Sequence, residues 1–138
     1  MKEKIIKIPN AQITYRVDGI IHLHYFENLI TIKESKEIFK AIRENSPWDV
    51  SPLYISGDTF SSLDKESKDF FASEIVLRHC SSVAVLAKNI GQKILVNFYF
   101  NLIRLKTPTR LFTSESDAIN WSLPYAKNNI LNSNFVSK

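Results

Sequence analysis

With one cysteine, Cys80, in 138 residues, the chain cannot form an internal disulfide. A reducing, cytoplasmic location is the simplest expectation from that count. Glycine is scarce too, and the three glycines at 19, 57 and 91 are too scattered to build a phosphate-cradling loop. Neither a Gly-x-Ser-x-Gly elbow nor a His-Glu-x-x-His pair occurs, which removes two familiar hydrolase signatures. No apolar window approaches the roughly 20 residues of a membrane-spanning helix. The charged start Met1-Lys2-Glu3-Lys4 runs into only Ile5-Ile6, too short a stretch for a signal peptide. Repeats and low-complexity tracts are lacking as well. What is present suits a soluble globular domain: 44% apolar and 23% charged residues, in a chain long enough for a core without staples. These features predict one domain over residues 1–127 and a mobile polar tail over 128–138, where Asn128-Asn129 and Asn132-Ser133-Asn134 favour turns.

The net charge of +4 is unevenly spread. No acidic residue lies between Glu74 and Glu115, whereas Arg78, Lys88, Lys93, Arg104, Lys106 and Arg110 all do. Such a half either attracts an anionic partner or is neutralised in space by other segments. A dense basic stripe and a recognised module are both missing, which disfavours nucleic acid.

Ile13, Tyr15 and Val17 alternate with polar neighbours, as do Ile21, Leu23 and Tyr25, and Asp18-Gly19 separates the two runs. That pattern predicts a β-hairpin closed by a primed turn. Thr31 and Glu34 form a capping box ahead of a helical stripe of Ser35, Ile38, Phe39 and Ile42, and Pro47 lies just past its end. Val50 to Ile55 reads as a short buried strand. A helix is expected from about Asp64 to Arg78, with Phe70 or Phe71 and Ile75 facing inward. The continuous apolar run 83–87 suits a strand covered on both faces. A further helix is expected over 90–105, followed by a strand at 110–112. Ser114-Glu115-Ser116-Asp117 then resembles a second capping box, opening a last helix docked by Ala118, Trp121 and Tyr125. Strands joined by helices imply a largely parallel sheet. The fold class is α/β: a two-layer or sandwich-like domain with a mixed sheet, an N-terminal hairpin, βα units and about four helices.

That order, together with Asn97-Phe98, Lys106, Pro108-Thr109-Arg110-Leu111-Phe112, Ala118 and Trp121, resembles the STAS or SpoIIAA-like family, including a bacterial subgroup of small proteins. The family includes anti-anti-sigma factors, in which an Asp-Ser-Ser-Gly-like stretch after the central strand carries a phosphorylated serine that toggles partner binding. Here the corresponding place holds Asp64-Lys65-Glu66-Ser67, so the resemblance implies the fold and a partner-binding role but not the usual switch.

Asp58, Thr59, Ser61, Ser62 and Asp64 are the candidate partner-binding or regulatory residues; a helix cap is the alternative use of one of them. Phe98, Tyr99, Leu102, Arg104, Lys106 and Arg110 are candidates for a ligand or homodimer surface, because the aromatic segment carries more apolar residues than one core stripe. His22 and His24 project from one strand face, but two imidazoles without a second cluster do not make a metal site on sequence grounds. The expectation is a non-enzymatic regulatory or protein-interaction module needing no cofactor and no metal, its partner another protein or a second copy. The alternative is a binder of an apolar or lipid-like molecule beside residues 90–105.

Overall fold

The computed structural model describes residues 3–26, 30–57, 64–87, 106–127 and 129. Within them six strands form one sheet in sequential order: β1 (Lys4–Ile8), β2 (Ala11–Tyr15), β3 (Ile21–Tyr25), β4 (Ser51–Gly57), β5 (Cys80–Leu86) and β6 (Thr109–Phe112). The first three strands run antiparallel to one another, and β3 to β6 are parallel. The expected hairpin is β2–β3, in register from Ala11 opposite Tyr25 to Tyr15 opposite Ile21. Its turn is not primed. A type I′ turn needs two residues at positive φ, and Gly19, at +92°, is the one described residue with positive φ. Instead Gly19 N–H closes a turn on the Arg16 carbonyl at 3.0 Å, and the Asp18 carboxylate grips the Arg16 guanidinium at 2.9–3.1 Å.

Strand β1 was not anticipated. Its lysines and isoleucines are mostly solvent-facing at the sheet edge, so it lacks the half-buried alternation that identifies an inner strand. Charged residues at such a position discourage pairing with another chain.

Side-chain parity along the strands sorts the two faces. Ile13, Tyr15, Ile21, Leu23, Leu53, Ile55, Val83, Val85 and Leu111 build the main core with Ile38 and Ile42 of α1 (Ile32–Asn45). Thr31 caps α1 with the full reciprocal box to Glu34, and the Tyr15 hydroxyl donates to the Ile42 carbonyl at 2.6 Å beneath the sheet. On the opposite face Ile20, Tyr54, Ala84 and Phe112 pack with Ala118 of α4 (Glu115–Ser122) and with Ala126 of the 3-10 turn Leu123–Ala126. Trp121 rests on Phe112 at 5.5 Å and docks the helix as expected, whereas Tyr125 lies in the 3-10 turn, exposed, with its ring 5.3 Å from Trp121.

The single helix expected over 64–78 is two: α2 (Lys65–Phe71) and α3 (Glu74–Leu77). The break falls at Ser73, where the backbone turns extended and the hydroxyl donates back to the Phe70 carbonyl at 2.5 Å, a local bond that competes with the helical ladder. In α3 Val76 is buried, and Ile75 is 58% exposed rather than inward-facing. The expected helix over 90–105 and the tail beyond Asn129 lie outside the described residues. Asn129 itself donates from its amide side chain to the Val50 carbonyl at 2.8 Å.

Candidate functional site

Along β3 and towards the carboxyl end of β4, two imidazoles and a hydroxyl come together. Strand β3 turns its odd residues into the main core and its even residues, His22 and His24, to the other face. Parallel pairing sets Tyr54 beside His22 and Ser56 beside His24. The Ser56 hydroxyl, nearly buried, lies 2.7 Å from His22 Nε2 and 2.8 Å from His24 Nδ1. A hydroxyl has one proton, so it donates to one imidazole and accepts from an N–H of the other. The tautomers of the two rings are therefore coupled through Ser56.

The His22 ring stacks on Tyr54 at 4.5 Å, and His24 meets Phe26 edge-on at 5.6 Å. The Tyr54 hydroxyl donates to Glu115 Oε2 at 3.2 Å, which ties the row to the first turn of α4. Burial lowers the His22 pKa to about 4; Glu115 opposes that shift, while His24 and Arg16 reinforce it. His22 is consequently a neutral imidazole near pH 7. Burial likewise raises the Tyr54 phenol, assisted by the neighbouring Glu115 carboxylate.

Where β4 ends, a second group of hydrogen bonds fastens the start of α2. The Asp64 carboxylate accepts from Ser67 N–H at 2.8 Å, and Asp64 N–H donates to the Ile30 carbonyl at 3.3 Å. Ser67, fully buried, donates to that same carbonyl at 3.1 Å and accepts from the Ser35 hydroxyl at 2.8 Å. Asp64 is thus a helix cap, and Ser67 joins α1 to α2. Its hydroxyl is not available to a modifying enzyme in this packing.

Of the other candidates, Lys106 and Arg110 are exposed, with the Arg110 guanidinium 5.4 Å from the Phe112 ring centroid. They belong to the opposite edge of the sheet from the β3 hairpin. Asp58, Thr59, Ser61, Ser62, Phe98, Tyr99, Leu102 and Arg104 lie outside the described residues. An open apolar cleft of about 330 Å³, counting solvent at its mouth, lies on the α1 face and includes Phe39, Ile42, Phe71, Val76 and Cys80. Burial pushes the Cys80 thiol up to about 12, which makes it a hydrophobe rather than a nucleophile. Among the described residues no three His, Cys, Asp or Glu side chains converge as a metal-binding group, and no helix is long and apolar enough to cross a membrane. Sequence reasoning singled out the histidine pair but missed Ser56, which only the β3–β4 register brings to them.

An antiparallel opening followed by four parallel strands in sequential order, helices lying on both faces, places the molecule in the SpoIIAA-like class of α/β folds. A solved structure of an uncharacterized protein from the DUF3478 family with a SpoIIAA-like fold, from Shewanella loihica PV-4, aligns over 88% of this chain and 92% of that one. The TM-score is 0.55 and the identity 11%, so this likeness speaks for the fold alone. By sequence the chain belongs to the family described as domain of unknown function DUF7793, whose pattern matches residues 13–126. No curated protein matches it.

Proposed function

We propose that the chain is a non-enzymatic regulatory module that binds a protein partner through the segment joining β4 to α2. Asp58, Thr59, Ser61 and Ser62 supply the contact. Asp64, occupied as a cap, acts by holding the segment's end. The observation that carries this reading is the clamping of both ends. Gly57 is the last residue of an inner strand, flanked by β3 and β5, and Asp64 is fixed to Ile30 and Ser67. Carboxyl ends of parallel strands are where α/β sheets hold ligands, and loops on a rigid frame are where recognition concentrates. Gly57 lies close to its ladder partner: a Cβ there would lie 3.1 Å from Tyr25 Cβ, so a side chain would have to displace Tyr25 by a few tenths of an ångström.

The segment works by docking and not by the phosphoserine toggle that the family resemblance would suggest. Ser67, the serine nearest the expected position, is sealed between α1 and α2. The test is co-purification from the native host, identification of the partner and reconstitution of the binary complex. The triple variant Thr59→Ala/Ser61→Ala/Ser62→Ala should abolish that complex, whereas Lys7→Ala on the edge strand should not. Undiminished binding by the triple variant would refute this surface.

A further inference from the structure

His22 and His24 stand two apart on a strand, so their rings leave the same face. Both present a nitrogen to one point in space, the Ser56 oxygen, at 2.7 and 2.8 Å. Their orientations are restrained before any ligand arrives, His22 by the stacked Tyr54 ring and His24 by the edge of Phe26. Preorganised donors lose little freedom on binding. We propose that His22 Nε2 and His24 Nδ1 form a two-imidazole chelate for a divalent transition-metal ion, copper(II) foremost, centred where the Ser56 hydroxyl bridges the rings.

The donor set selects the metal class. Imidazole nitrogens suit copper, nickel and zinc, whereas calcium and magnesium call for oxygen donors. A thiolate is not at hand, since Cys80 packs, partly buried, against the core on the other side of the sheet. Metal–imidazole bonds are about 2.0–2.1 Å long, so each ring advances by less than an ångström as Ser56 turns aside, and the ring that donates its N–H to Ser56 takes the other tautomer to free that nitrogen. Water fills the remaining positions, because two protein nitrogens are all that the described residues offer here. With so open a set, the intrinsic order of affinities decides, and it places copper(II) above nickel(II) and zinc(II). This site is independent of the partner-binding reading and stands or falls separately from it.

The chain supplies its own control. His79, the third of three histidines, bonds through Nδ1 to the Asp49 carbonyl at 3.0 Å and lies against Phe39, away from the pair. The experiment titrates the full chain with copper(II) chloride in a non-coordinating buffer, read by calorimetry and electron paramagnetic resonance. One equivalent should bind with nitrogen couplings from two imidazoles. His22→Phe, which keeps a ring on Tyr54, and His24→Phe should each weaken binding at least about tenfold, the scale on which metal sites respond to lost support. His79→Phe should leave it unchanged. To avoid dependence on the folding of variants, carbethoxylation of the wild-type chain by diethyl pyrocarbonate is mapped by mass spectrometry with and without copper. Copper should protect His22 and His24 but not His79. Equal copper binding by the double variant His22→Phe/His24→Phe, a spectrum without imidazole nitrogens, or protection of His79 alone would overturn the proposal.

Discussion

Replacing His22 by glutamine tests the energetic cost of holding an imidazole against Tyr54. In the folded chain the His22 pKa falls from 6.5 to about 4, chiefly through burial. The unfolded chain therefore takes up this proton first as the pH drops, and protons favour unfolding throughout that window. The stability contributed by neutral His22 is complete above about pH 6.5 and lost as the pH falls through about 4. Each pKa unit is worth about 1.4 kcal/mol, so the full shift sets a ceiling of about 3.5 kcal/mol. His22 is only half-buried, and solvent screening brings the expected value to about 1–2 kcal/mol. Glutamine cannot be protonated here, and its amide reaches toward the Ser56 hydroxyl in place of the ring. Urea denaturation of the metal-free protein, run from pH 7 to pH 4 on both chains, cancels the titrating groups that do not interact with His22. The wild type should lose about 1–2 kcal/mol more than His22→Gln across the window. Parallel profiles, or a His22 ring proton that titrates near pH 6.5 by NMR, would refute the reasoning.

Three further outcomes can be checked on stability and reactivity. Gly19→Ala forces a side chain into φ +92° and sets its Cβ 2.9 Å from the Ala126 carbonyl oxygen, so urea denaturation should show a loss of at least about 1–2 kcal/mol. Ser82 buries a hydroxyl that finds no hydrogen-bond partner among the described residues, and Ser82→Ala should raise the unfolding free energy by about 1 kcal/mol, visible as a higher Tm. The Cys80 thiol, pushed up to about 12, should react with Ellman's reagent at pH 8 more slowly in the native chain than in urea; equal rates would contradict the raised pKa.

The elements legible in the sequence are those specified by neighbours along the chain. Thr31 and Glu34 announce α1 because both halves of the capping box lie within four residues, and the structure forms both. The apolar run 83–87 falls on a strand with neighbours on either side, as its lack of alternation requires. Where Asp18-Gly19 promised a primed turn, the Arg16–Asp18 ion pair and a single left-handed glycine made another. The helix breaks at Ser73, where the backbone turns extended and both the N–H and the hydroxyl donate to the Phe70 carbonyl, a choice that periodicity does not register. Ser56 and Ser67 were illegible as site residues for a different reason. Each takes its meaning from a partner more than thirty residues away: His22 and His24 for one, Ser35 and the Ile30 carbonyl for the other.

Those two serines bracket the proposed contact segment, and the bracketing constrains how it can work. Ser56 holds the end of β4 on the polar face through two imidazoles, and Ser67 holds the start of α2 on the core face through α1. Buried hydrogen bonds of this kind cost more to break than they contribute when made, because each released group is left unsatisfied. A partner that engages residues 58–63 therefore meets fixed ends, and its binding energy goes into contacts rather than into moving β4 or α2. Metal binding at His22 and His24 acts on only one bracket, since it replaces the Ser56 bridge and leaves Ser67 untouched. Communication between that site and the contact segment would have to pass through Ser56 and Gly57, the last two residues of β4. Gly57 is held in the β3–β4 ladder opposite Tyr25, which ties that strand end to its neighbour. Rigid docking, with the histidine pair as a separate site on the neighbouring face, is the arrangement most consistent with this packing.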